Sequence, residues 1–118
     1  MELIIVRHGE TDANSEGVLL GCTDVSLNRR GIQQVKRAAT KLRELKVDRV
    51  EDIYSSPLKR AVQTAEIIGN ELGCKKIIYS DDLKERNFGD WEGLTVEEIS
   101  RLYENEYRLW INDVDYCM

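Results

Sequence analysis

What most restricts the fold of this chain is an alternation of short β-branched runs with longer amphipathic stripes. Leu3–Val6 is uninterrupted and apolar, as expected of a buried parallel strand with both faces covered. From Arg29 the period changes. Ile32, Val35, Ala38, Ala39, Leu42 and Leu45 recur at helical spacing beneath a strongly charged face, with Asn28 or Ser26 as the cap. Val50–Tyr54 is a second strand candidate, and Ser55, Ser56 and Pro57 after it suit a turn or a first helical turn. A second stripe, Ala61, Thr64, Ala65, Ile68 and Leu72, is closed by Gly73 as C-cap. Lys75–Tyr79 is a third strand candidate. Between these elements, Glu10–Asn28 reads as a long ordered loop and Asp81–Gly93 as a polar functional loop carrying Phe88 and Trp91. Leu94–Tyr107 follows as a third helix. Strands alternating with helices of this length predict an α/β domain with a mostly parallel sheet.

A chain of 118 residues suffices for one domain with a modest core and is too short for two ordinary ones. With 42% hydrophobic and 33% charged residues it has the balance of a folded domain. The net charge of -5 argues against a nucleic-acid partner or an acidic membrane, both of which need clustered, uncancelled Lys and Arg. A small anionic substrate is still allowed, because a local pocket can be positive on a negative protein. Cys22, Cys74 and Cys117 form no CxxC pair, so neither a disulfide framework nor a zinc site is indicated and a reducing compartment fits best. The run Leu3–Val6 is far below targeting or membrane length, and the expected location is the cytoplasm.

In an open parallel sheet, ligands bind at the carboxyl ends of the strands. Arg7 and His8 follow the first strand candidate, Ser55–Arg60 the second and Glu85–Gly93 the third, so three polar clusters could meet in one crevice. By itself His8 has three readings: a packed ring at a strand end, a metal ligand or a nucleophile. The metal reading is weakest, because no second histidine shares the coordination, the cysteines are dispersed and Arg7 would repel a cation. An arginine beside a histidine favours an anion, since guanidinium offers a rigid fork of donors to phosphate oxygens. Arg60 would add a second fork at a loop-to-helix junction, where unsatisfied backbone amides also attract anions; a solvent-facing helix residue is the alternative. Glu85 shares its loop with Asp82, Asp90 and Glu92, and spacing alone does not choose among these carboxylates.

These stretches together resemble the histidine phosphatase superfamily, which includes the cofactor-dependent phosphoglycerate mutases and the α-ribazole phosphatases. RHGET with Asn14 is similar to its N-terminal signature and GCTDVSLNRRGIQQ to the loop and helix start that follow. SSPLKRAVQTA resembles its second motif and LKERNFGDWEG its third. The resemblance runs from Glu2 to about Ile99. It implies a phosphoglycerate mutase-like, three-layer α/β/α domain. His8 matches the histidine that attacks phosphorus, Arg7 and Arg60 the arginines that hold the phosphoryl oxygens, and Asn14 a further phosphate contact. Glu85 matches the proton donor to the leaving oxygen, and Gly21 and Thr23 match positions near the substrate. The chemistry suits these types. A neutral imidazole is a competent nucleophile, two arginines neutralise charge on the equatorial oxygens, and a carboxyl near anionic phosphate is expected to hold its proton more tightly. No metal and no cofactor is implied.

The family carries a second histidine in a later strand-to-loop motif, whereas His8 is the one histidine here. The expectation is that residues 1–118 are the N-terminal part of a single histidine phosphatase domain whose C-terminal part is missing. The resemblance puts the missing strand between the first two strands of the sheet. Exposed apolar edges would then invite a dimer or a separately supplied C-terminal piece. The short loop from Asn14 to Ser26 and GDWEG followed at once by LTVEEI look more like the phosphatase branch, especially the α-ribazole phosphatases, than the mutases. The expected substrate is a small phosphorylated metabolite. Phosphoglycerate mutase and a noncatalytic anion- or protein-binding domain remain the alternatives.

Overall fold

A computed structural model describes residues 2–47 and 49–112 of the chain. Its elements, in order, are α1 (Asp12–Glu16), α2 (Arg29–Glu44), β1 (Ile53–Ser55), α3 (Lys59–Leu72), β2 (Ile77–Tyr79), α4 (Val96–Leu102) and α5 (Glu104–Asn112), with short 3-10 turns at Asp81–Leu83 and Gly89–Trp91. The chain divides into two compact units, Met1–Asp12 with Asp24–Lys84, and Ala13–Thr23 with Glu85–Met118.

The first unit is α/β. β1 and β2 pair in parallel with Ile53 opposite Ile77 and Ser55 opposite Tyr79, and α3 is the crossover between them. α2 starts where its cap chemistry predicts: the Asn28 side chain accepts the Gly31 amide at 2.7 Å. α3 ends at Gly73, whose left-handed backbone (φ 70°) costs glycine nothing. The two stripes expected from the periodicity meet in a core of Leu27, Val35, Ala39 and Ile68, flanked by Ile32, Leu42, Ile53, Ile67 and Leu72.

Leu3–Val6 corrects the sequence reading. It joins no strand among the described residues, and Leu3 and Ile5 are 79% and 87% exposed against 47% and 42% for Ile4 and Val6. That alternation is the signature of an extended segment with one face partly covered. A strand is defined by its ladder, and β-branched composition cannot supply a neighbour to bond to.

In the second unit, Leu94–Tyr107 is two helices. Tyr103 leaves helical dihedrals (φ -129°, ψ 48°) between α4 and α5 while its ring packs on Trp91 at 6.2 Å. Thr95 and Glu98 form a reciprocal capping box at the start of α4. Val18 bridges Thr95 in antiparallel fashion, and the expected loop Glu10–Asn28 contains the one-turn helix α1. Among the described residues no helix is long and apolar enough to cross a membrane. Cys22 and Cys74 are free thiols, and Cys117 lies outside the described residues.

Candidate active site

The first unit places Arg7, His8, Gly9 and Arg60. His8 Nδ1 lies 2.7 Å from the carbonyl oxygen of Gly9. A carbonyl can only accept, so Nδ1 carries the proton and the lone pair of the neutral ring sits on Nε2. The Gly9 amide donates to Thr64 Oγ1 at 3.1 Å, and the Thr64 hydroxyl donates to the Arg60 carbonyl at 2.8 Å. The residue after His8 is thereby tied to the first turn of α3, where Arg60 is 3% exposed.

The same segment is fastened to α2. The Glu10 amide donates to Gln34 Oε1 at 3.0 Å, and Asn28 donates its backbone amide to the Glu10 carbonyl and its side-chain amide to Glu10 Oε1. Gly31 permits the approach, since a Cβ there would collide with the Glu10 carbonyl. Arg7 is exposed and His8 half-buried; both line a shallow depression of about 160 Å³ with Val6 and Gln34, which Arg60 does not line.

The anion-attracting amides expected at the start of α3 are partly taken. Asp24 Oδ1 accepts the Lys59 amide at 2.7 Å, and Ser56 Oγ accepts the Leu58 amide at 3.2 Å. Fewer free amides are therefore left at this helix end for an anion than the sequence suggested.

The second unit holds the other expected residues. Asn14 is exposed on α1, Gly21 is buried, and Thr23 and Glu85 are exposed. Gly21 and Thr23 are brought against the loop that carries Glu85, and the joint is Glu92. Its Oε1 accepts the amides of Cys22 at 2.7 Å and Phe88 at 3.2 Å, and its Oε2 accepts the Thr23 hydroxyl at 2.7 Å. Cys22 Sγ in turn donates to the Glu85 carbonyl at 3.0 Å. Phe88 and Trp91 pack against other rings: Trp91 is 3% exposed, and Trp110 meets both rings edge-on at 5.7 and 5.9 Å.

Thr64, Asp24 and Gln34 escaped sequence reasoning as contributors, and Glu92 was indistinguishable from its acidic neighbours. Asp24 and Gln34 lie in GCTDVSLNRRGIQQ and Thr64 in SSPLKRAVQTA, but only Thr64 also stood four residues after Arg60 on one helix. Among the described residues no three His, Cys, Asp or Glu side chains are grouped to hold a metal ion.

Residues 3–117 match the family model of the histidine phosphatase superfamily (branch 1). A relative in Arabidopsis thaliana, phosphoglycerate mutase-like protein 4, is 40% identical over 97% of this chain and 50% of its own length. The crystal structure of phosphoserine phosphatase from Entamoeba histolytica in complex with 3-phosphoglyceric acid superposes with a TM-score of 0.78 at 38% identity, covering 94% of this chain and 52% of that one. That of a candidate α-ribazole-5′-phosphate phosphatase from Escherichia coli gives 0.75 at 30% identity over 92% and 52%. The fold is phosphoglycerate mutase-like, and the chain spans about half the length of the curated relatives it matches.

Proposed function

We propose, given that this chain belongs to the histidine phosphatase superfamily, that the complete protein hydrolyses small phosphomonoesters in the cytoplasm through a phosphohistidine on His8. The observation that supports this reading is the 2.7 Å contact from His8 Nδ1 to the Gly9 carbonyl, because it leaves the lone pair of the neutral ring on Nε2, where an attack on phosphorus needs it. Nε2 attacks phosphorus as the ester P–O bond breaks, and Glu85 gives its proton to the departing oxygen. Water then attacks the phosphohistidine, releasing inorganic phosphate and returning a proton to Glu85. Arg7, Arg60 and Asn14 hold the phosphoryl oxygens and neutralise their charge, and Gly21 and Thr23 belong to the substrate-proximal loop.

Residues 1–118 then form the N-terminal part of one catalytic domain. The second histidine and the strand beside Leu3–Val6 come from a C-terminal piece or from a partner chain; the exposure of that run and the half-length match to relatives support this. Among substrates, α-ribazole phosphate is favoured by the short Asn14–Ser26 loop and by the Escherichia coli neighbour, which would place the protein in cobalamin biosynthesis. Phosphoserine is the second candidate, from the Entamoeba histolytica neighbour.

Rapid quenching of the complete protein with substrate should trap acid-labile, alkali-stable phosphate, and His8→Ala should abolish both the adduct and turnover. Unchanged turnover in that variant refutes the proposal. Parallel assays with α-ribazole phosphate, phosphoserine and 3-phosphoglycerate assign the substrate, and dominant phosphoglycerate interconversion would move the protein to the mutase branch.

A further inference from the structure

We infer that Glu92 is a positioning residue for Glu85, acting as a clasp between the loop Gly21–Thr23 and the loop Glu85–Phe88. The inference rests on the reading of Glu85 as proton donor. One carboxylate accepts three hydrogen bonds from two segments far apart in sequence: Cys22 N–H and Phe88 N–H on Oε1, and the Thr23 hydroxyl on Oε2. Bonds to an ionised acceptor are shorter and stronger than neutral ones, and two of these are 2.7 Å. Cys22, held by its amide, passes the constraint on, since its thiol donates to the Glu85 carbonyl at 3.0 Å.

Glu85 is itself exposed and stands in a run of exposed residues, Asp81–Asn87, so little packing fixes its backbone. The clasp fills that gap. Gly21 is shaped to it: a Cβ there would collide with Glu92 Oε1 and come within 2.8 Å of the Arg86 carbonyl. Any side chain at position 21 would therefore push the carboxylate and the Glu85–Arg86 backbone away together. Glu92 touches no reacting atom in this scheme. It sets where the Glu85 carboxyl stands when the leaving oxygen needs its proton.

A positioning role predicts a leaving-group signature that loss of folding would not produce. An alkyl phosphate such as phosphoserine needs a proton on its departing oxygen, whereas p-nitrophenolate departs without one. In the complete protein, Glu92→Ala should lower kcat/KM for phosphoserine about 10- to 100-fold, the scale of a misplaced catalytic group. For p-nitrophenyl phosphate the loss should stay within about threefold, because general acid assistance is largely dispensable there. Glu92→Gln should keep both activities, since its amide oxygen still accepts the two backbone amides and its NH2 can donate to Thr23. If Glu92→Ala does not melt cooperatively, Glu92→Asp replaces it, its carboxylate being one methylene too short to reach both loops.

Equal losses on the two substrates, or no loss, overturn the clasp. Glu85→Gln separates this from the underlying reading. If Glu85→Gln is selective for phosphoserine while the Glu92 variants are not, the positioning role alone fails. If Glu85→Gln lowers kcat/KM for both substrates equally, the proton-donor reading fails and takes the inference with it.

Discussion

The unit built on α2 and α3 and the unit built on α4 and α5 are held by different physics. In the first, Leu27, Val35, Ala39 and Ile68 spread burial over several aliphatic side chains from two helices and the segment before them. In the second, burial is concentrated on Trp91, 3% exposed and ringed by Tyr103, Tyr107 and Trp110, and on Ile99, while the loops are joined by Glu92. Aliphatic contacts are non-directional and share their load, so such a region holds its shape when one member changes. An aromatic hub and a carboxylate clasp are directional and few. The lesson is that the segment of the proposed nucleophile is tied by a few hydrogen bonds to helices with a distributed core, whereas the loop of the proposed proton donor is tied to another loop.

The largest test of that contrast is truncation of the hub. Trp91→Ala should cost about 3–5 kcal/mol of stability, and Ile68→Ala, its counterpart in the aliphatic unit, about 2–4 kcal/mol. Denaturant titration followed by circular dichroism measures both. A Trp91→Ala cost below that of Ile68→Ala would show that the second unit is not concentrated on one ring.

A smaller effect sharpens the same contrast at α4. Thr95 accepts the Glu98 amide at 3.2 Å and the Glu98 carboxylate accepts the Thr95 amide at 2.8 Å. Thr95→Ala should destabilise by about 1 kcal/mol, the usual cost of an N-cap, read as a drop in denaturant midpoint. Thr95→Ser should restore the midpoint, since it keeps the hydroxyl.

The smallest expected effect separates the units by pH. Hydrogen bonds from the Thr95 amide and hydroxyl hold the Glu98 carboxyl below its ordinary value of 4.5. A lowered folded-state value means that this contribution is present above about pH 4.5 and fades as pH falls through the folded-state value. In the first unit, a hydrogen bond to Asp52 and its charge raise Lys76 above 10.5, with the ion pair at 2.9 Å. That contribution is present below about pH 10.5 and is lost as pH rises through the folded-state value. Both groups are solvated, so the slopes are shallow. Glu98→Gln should flatten the acid limb of a stability-against-pH curve and leave the alkaline limb alone, and Lys76→Gln should flatten the alkaline limb; an unchanged acid limb in the first variant or an unchanged alkaline limb in the second would contradict the assignment.

The amino-acid sequence by itself determined α2 and α3, their apolar faces, the Asn28 and Gly73 caps, and strands β1 and β2 to within a few residues. These depend on periodicity and on cap chemistry a few residues wide, which a linear reading contains. The stretches around Arg7, His8, Arg60 and Glu85 were legible differently, as motifs resembling a family, because spacing alone did not single out their residues. Tertiary structure decided the rest. Leu3–Val6 has strand composition and no ladder among the described residues, because a strand exists through bonds to a neighbour that its own residues do not encode. Leu94–Tyr107 broke at Tyr103, whose ring faces Trp91. Asp24 took an amide of α3, and Glu92, one of several like carboxylates in its loop, became the joint between two loops. Each of these outcomes depends on hydrogen bonds or packing between residues distant in the chain. Local spacing carries no mark of such contacts, so they became visible only once the backbone had brought the partners together.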